Sequence, residues 1–171
     1  YYLDLSSQAG YSSAQVLMGK IYYEGKYIKR NIEKSIKCFN MALEQNNSDA
    51  QYYLGIIYYE RKEIDKSIFF LTLSANQNNS DAQYHLSFIF QNESFNRKDM
   101  KKSIYYLTKS ANQDNKYAQY ELGFIYYNGI DVDRNINKSI YYLTKSSDLG
   151  NQYAQVLLGI IFYEGKFTPR N

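Results

Sequence analysis

The dipeptide Ala-Gln recurs five times, at Ala14, Ala50, Ala82, Ala118 and Ala154. Each time it opens a related stretch: AQVLMGKIYYEG, AQYYLGIIYYER, AQYHLSFIFQNE, AQYELGFIYYNG and AQVLLGIIFYEG. The spacings are 36, 32, 36 and 36 residues. A period in this range marks an array of small units, none able to bury its apolar face alone, which stack to share one core. A second anchor, Lys-Ser-Ile, carries Ser35, Ser67, Ser103 and Ser139, and each serine stands 15 residues before the next Ala. The four residues missing from the second unit therefore lie ahead of Lys-Ser-Ile. There residues 25–30 have a shorter counterpart around Arg61, Lys62 and Glu63, so the deletion shortens a loop.

Each unit reads as two helices. In the first, the Ala, the position four later (Met18, Leu54, Leu86, Leu122, Leu158) and those seven and eight later fall on one face at helical spacing, which predicts a core stripe. In the second, Ile36, Ile68, Ile104 and Ile140 are followed three residues on by Phe39, Leu71, Leu107 and Leu143. Small residues come next at Ala42, Ser74, Ser110 and Ser146, and this face is expected to meet the first helix. Asn31, Asp99 and Asn135 suit N-caps of the second helix, and Glu63 is a poorer cap in the shortened unit. Gly25, Gly129 and Gly165 fit the left-handed position that ends a helix, a pattern from which Arg61 and Glu93 depart.

Gly19, Gly55, Gly123 and Gly159 fall inside the first helix, where glycine costs roughly 1 kcal/mol relative to alanine. The recurrence predicts an offsetting gain, the close approach of the partner helix over a position without a side chain. Ser87 breaks the pattern once.

The order Ala-x-x-x-Leu-Gly-x-x-Tyr-x-x-Gly, then Lys-Ser-Ile, then a small pair such as Ser74-Ala75 or Ser110-Ala111, resembles the Sel-one-like repeat family, a relative of the tetratricopeptide repeats. The resemblance covers practically the whole chain. It departs from the family where the Ala expected after Lys is Ser in all four copies, and the third unit, with Ser87 and Glu93, diverges most. It implies an all-α fold, a right-handed α-solenoid of antiparallel helix pairs, and a role as an adaptor in multi-protein assemblies. The chain reads as one repeat domain over 1–171, with a partial unit over 1–13, repeats over 14–49, 50–81, 82–117 and 118–153, and a partial unit over 154–171. It is expected to open inside a second helix (Leu3, Leu5, Ser6, Ser7) and to close after a first one. Leu158, Ile161 and Phe162 would then be partly bare, and the natural protein would continue past Asn171.

In related solenoids the first helices line the concave surface. Here that puts the positions two, six and nine after each Ala on a groove wall: Tyr52, Tyr84 and Tyr120; Ile56, Phe88 and Phe124; Tyr59 and Tyr127. Tyrosine joins apolar area to a hydroxyl at low side-chain entropy, the chemistry of binding hot spots. The alternative is that these rings pack between repeats. Of the basic residues that would grip a chain terminus in the tetratricopeptide manner, only Lys20 fits, so the sequence favours an extended or helical peptide held by aromatic contacts. Glu24, Glu60 and Glu164 on the rim would prefer basic partners.

Other chemistry finds little support. A net charge of +3, from 20 basic and 17 acidic residues, is too balanced to indicate nucleic acid or membrane in bulk. Basic residues do gather at the second helices (Arg30 and Lys34, Arg61 and Lys66, Lys101 and Lys102, Arg134 and Lys138). Interleaved Glu33, Asp65 and Asp133 make a solvated edge the better reading than an RNA-binding ridge. The single histidine, His85, and single cysteine, Cys38, have no companions for a metal site, and no phosphate-loop or nucleophile motif occurs. No cofactor, metal, catalytic residue or membrane segment is expected. With one cysteine no disulfide framework exists, and a cytoplasmic setting is expected, with the secretory lumen as the alternative. Four N-x-S triplets, at Asn46, Asn78, Asn92 and Asn137, are best explained by chance in an Asn-rich chain. The expectation is a non-catalytic scaffold that holds a protein or peptide. Its alternatives are a regulatory segment of a larger enzyme, such as a kinase or ubiquitin-ligase component, and, less favoured, an RNA-binding edge.

Overall fold

The computed structural model describes residues 7–96 and 98–167, with side chains described through residue 165. Of the expected opening helix, Leu3, Leu5 and Ser6 lie outside that range, and Ser7 is helical and buried. Nine α-helices are found among the described residues: α1 Ser12–Glu24, α2 Ile32–Leu43, α3 Ser48–Glu60, α4 Ile64–Asn76, α5 Ser80–Gln91, α6 Met100–Ala111, α7 Lys116–Asn128, α8 Ile136–Asp148 and α9 Gln152–Phe167. A 3-10 turn, Glu93–Phe95, follows α5. The chain forms two compact units, Tyr1–Leu86 and Ser87–Asn171, whose boundary falls within α5.

Each first helix starts two residues before its Ala, and the cause is local. Asn47 and Asn115 accept hydrogen bonds from the backbone N–H groups two and three residues on, and Asn79 accepts one from Ala82. Asn151 does the same for α9, and only Tyr11, ahead of α1, provides no side-chain cap. The second helices are capped as expected by Asn31, Asp99 and Asn135, whereas Glu63 makes no capping bond.

The core stripe is confirmed in the inner repeats. Ala50, Leu54 and Ile57 in the first unit and Ala118, Leu122 and Ile125 in the second are at most 3% exposed. The opposing leucines Leu71, Leu107 and Leu143, with Phe39, are fully buried, and so are Ala42, Ser74, Ser110 and Ser146. Ser74 donates to the carbonyl of Ser48 and Ser146 to that of Lys116, fixing each second helix to the start of its own first helix.

The position eight after Ala is not core. Tyr58, Phe90 and Tyr126 are half-buried and stack in near-parallel planes on Phe70, Tyr106 and Tyr142 of the following helix, with centroids 5.4 to 6.0 Å apart. In the first repeat Cys38 stands where the second ring would be, and Met18 is only half-buried.

The glycine prediction holds at three places. A β-carbon on Gly19 would sit 2.5 Å from Phe39, on Gly55 2.6 Å from Leu71, and on Gly123 2.5 Å from Leu143. These contacts are too close to survive without a shift of the Phe39, Leu71 or Leu143 side chain or of the helix that carries it. Gly159 departs from the prediction, because no described atom lies within 4 Å of its β-carbon position. Gly25 and Gly129 take the left-handed conformation that ends α1 and α7. Gly165 does not end its helix, since α9 continues to Phe167.

Candidate functional site

The face that the sequence nominates is assembled from the first helices, and it divides between the two units. In the first unit, Tyr52 sits edge-on to Tyr53 at 5.0 Å and lies 5.6 Å from the ring of His85, which in turn meets Tyr84 edge-on at 5.6 Å. Tyr23 packs edge-on against Tyr53, and the ammonium of Lys20 rests over the Tyr53 ring at 5.0 Å. Tyr52, Tyr84, Ile56 and Tyr59 are all half-buried and Glu24 is exposed. In the second unit, Tyr120 is half-buried between Phe124 and Tyr153, while Phe88 and Phe124 are exposed at 47% and 37%. The rings thus neither disappear into the core nor stand free. They form clusters with one face toward solvent.

Two of the nominated positions, Glu60 and Tyr127, take part in side-chain hydrogen bonds that join neighbouring repeats. Glu60 accepts a hydrogen bond from the Tyr23 hydroxyl at 2.5 Å and pairs with Arg30 at 3.0 Å. Tyr127 donates to Glu164 at 2.8 Å. The arrangement recurs: Arg30 donates to the carbonyl of Tyr23 and lies over its ring, and Arg134 does the same to Tyr127. A Tyr-Arg-Glu lock therefore joins one repeat to the next in each unit, and it occupies carboxylates assigned from sequence to a partner. The spacing of Tyr, Arg and Glu, seven and 37 residues from Tyr23 and from Tyr127 to Glu164, carried that signal.

Burial raises the tyrosine hydroxyl pKa at Tyr23, Tyr52, Tyr53, Tyr120 and Tyr142, and the Glu164 hydrogen bond, ahead of burial, raises that of Tyr127. A group whose folded pKa lies above its unfolded value contributes its full stability below the unfolded pKa and loses it as pH rises toward the folded one. With ordinary tyrosine near 10, stability is expected to fall above about pH 10. The urea midpoint should be lower at pH 11 than at pH 8, and equal midpoints would show that these hydroxyls are not held neutral by the fold. Burial lowers the pKa of His85, opposed by the charge of Asp81, and raises that of Glu121.

The basic edge is largely spoken for. Lys34, Lys66, Lys102 and Lys138, the lysines of the Lys-Ser-Ile anchor, each lie over the aromatic ring eight after Ala, at 4.9 to 5.4 Å. Arg61 pairs with Glu33 at 2.6 Å. These lysines act as lids on the aromatic stacks, which weakens the nucleic-acid reading. The sequence reading missed a row on the second helices. Phe69, Tyr105 and Tyr141, each two after the anchor serine, are more than half exposed, and Lys109 and Lys145 lie over the last two. Among the described residues no group of three or more His, Cys, Asp or Glu could hold a metal ion, and no helix is long and apolar enough to cross a membrane.

The Sel1 repeat model matches residues 12–47, 48–79, 80–115, 116–151 and 152–171. Similar solved structures include a Sel1 repeat protein from Oxalobacter formigenes, 24% identical with a TM-score of 0.84, covering 92% of this chain and 66% of that one. A protective antigen present in uropathogenic Escherichia coli strains, displaying an SLR fold, is 26% identical at a TM-score of 0.57, covering 95% of this chain and 44% of its own. An immunity protein from Pseudomonas aeruginosa is 19% identical at a TM-score of 0.65, covering 89% and 58%. The chain thus spans less than two thirds of the length of each. A comparison with curated proteins finds no match. Sel1 repeat proteins are generally protein-interaction scaffolds, typically without catalysis of their own. With five matched repeats running from residue 12 to residue 171, the chain belongs to the Sel1 repeat family.

Proposed function

We propose that this chain is a non-catalytic adaptor segment that holds a peptide or protein through the aromatic clusters of its first helices. The observation that carries the reading is their half-exposure. Tyr52 and Tyr84 in the first unit, and Phe88, Tyr120 and Phe124 in the second, keep apolar surface in water although the core beneath them is complete. Half-buried rings already held by neighbours lose little side-chain entropy on binding, which is how hot spots gain affinity. Lys20 and Glu24 supply polar contacts beside the Tyr53 ring, and Glu24 is the carboxylate placed to meet a basic side chain. Tyr127 and Glu60 support the face by locking repeats together.

The test is capture from a lysate of the source cell, comparing the natural chain with a variant carrying Tyr52→Ser, Tyr84→Ser and Tyr120→Ser, shown by circular dichroism to be folded. Proteins recovered by the natural chain are expected to be lost by the variant. Recovery of the same set by both would move binding away from these rings.

A further inference from the structure

The second helices of the second unit carry one sequence twice: residues 102–110 and 138–146 both read KSIYYLTKS. In each copy the first lysine, the first tyrosine and the second lysine follow one another at steps of three and four residues, which sets them on one face of α6 and of α8. Tyr105 and Tyr141 are 53% and 55% exposed there, under the ammonium groups of Lys109 and Lys145 at 4.9 and 5.4 Å. Each ring is held edge-on at 5.1 Å by Tyr106 or Tyr142, which is itself stacked on a ring of the preceding first helix. The charge is one-sided as well. α6 holds three lysines and no acidic residue, and α8 holds two lysines with Asp148 only at its last position. The first unit has Glu33 and Asp65 where the second has Lys101 and Asn137, and Met41 and Leu73 where the second has Lys109 and Lys145.

We infer that this face of the second unit docks an acidic segment of a partner protein. Lys109 beside Tyr105, like Lys145 beside Tyr141, sets an ammonium next to a phenol, and both are donors of the kind a carboxylate accepts from. The rings are already fixed by their neighbours, so little side-chain freedom is lost on docking. Complementary charge draws such a segment in, and the second copy of the motif lets two of its carboxylates engage together. The same lysines disfavour the other polyanion. A single nucleic-acid strand is held by bases stacked on open ring faces, and here an ammonium already lies over each exposed ring.

A fluorescent peptide of alternating Glu and Ala residues is the probe, with its Gln and Ala counterpart and a fluorescent oligothymidylate of equal length beside it. The Glu peptide is expected to bind the chain saturably, with affinity falling as salt rises, and the Gln peptide is expected not to bind. Lys109→Gln with Lys145→Gln, shown by circular dichroism to be folded, is expected to weaken binding at least about tenfold. Lys34→Gln with Lys37→Gln removes the same charge from α2 of the first unit and should leave binding unchanged, which separates this face from bulk charge. Absence of binding by the Glu peptide, equal binding by the Lys109 and Lys145 variant, an equal loss in the Lys34 and Lys37 variant, or tighter binding of the oligothymidylate would each overturn the inference.

Discussion

Replacing Gly123 by alanine is expected to lower the free energy of unfolding by about 1–3 kcal/mol, while the same change at Gly159 raises it by up to about 1 kcal/mol. Both glycines occupy the fifth position after an Ala, and both lie inside first helices. Helix propensity favours alanine at both. At Gly123 the new methyl group would meet Cγ of Leu143 at 2.5 Å, with the backbone nitrogen of that residue at 3.3 Å, so α8 must move. At Gly159 no described atom lies within 4 Å of the new methyl group, and only the propensity gain remains. Urea unfolding followed by far-ultraviolet circular dichroism measures both. Changes of the same sign would mean that the glycines are kept for some reason other than helix approach.

The second large effect is expected at Leu143. Its side chain is fully buried and fills the hollow above Gly123, so Leu143→Ala should cost about 2–5 kcal/mol through lost burial and a residual cavity. Combining it with Gly123→Ala should cost less than the two single changes together, because the alanine methyl group at 123 enters space that the leucine has left. A coupling of about 0.5–3 kcal/mol in a double-mutant cycle is the expected result. Additivity within about 0.5 kcal/mol would show that the two residues do not share a socket.

Much of this architecture is written in the spacing of a few residues. Ala, Leu and Gly at offsets of zero, four and five define a helix face and its closest approach, and both survive in the structure because they depend on nearest-neighbour packing alone. The second-helix pattern was equally legible at Ile104, Leu107 and Ser110. Positions whose role depends on an adjacent repeat were harder to read. Glu60 looks like a rim carboxylate in one dimension, and only folding brings Arg30 and Tyr23 to it. The ring eight after Ala has helical core spacing, yet its partner ring and the lysine above it place it at the surface. The recurrent Asn three before Ala50, Ala82, Ala118 and Ala154 is visible in the sequence and carries a clear capping role, but on the sequence alone it stands only as part of an excess of asparagine. Of the candidate face, its aromatic identity was legible. The division of labour between rings open to solvent and rings holding repeats together was not.

The loop between a first and a second helix closes in the same way whatever its length. The backbone N–H at the second-helix cap donates to the carbonyl of the ring eight after Ala: Asn31 to Tyr22, Asp99 to Phe90 and Asn135 to Tyr126 across the long form, and Glu63 to Tyr58 across the short one. Four residues can be removed and the helix that follows still arrives in register, because the bond fixes the two ends of the loop and leaves the path between them free. Lengthening a surface loop costs little. Each such loop is therefore a port at which sequence can be gained or lost over evolutionary time, or grafted by design, while the repeats on either side keep their packing.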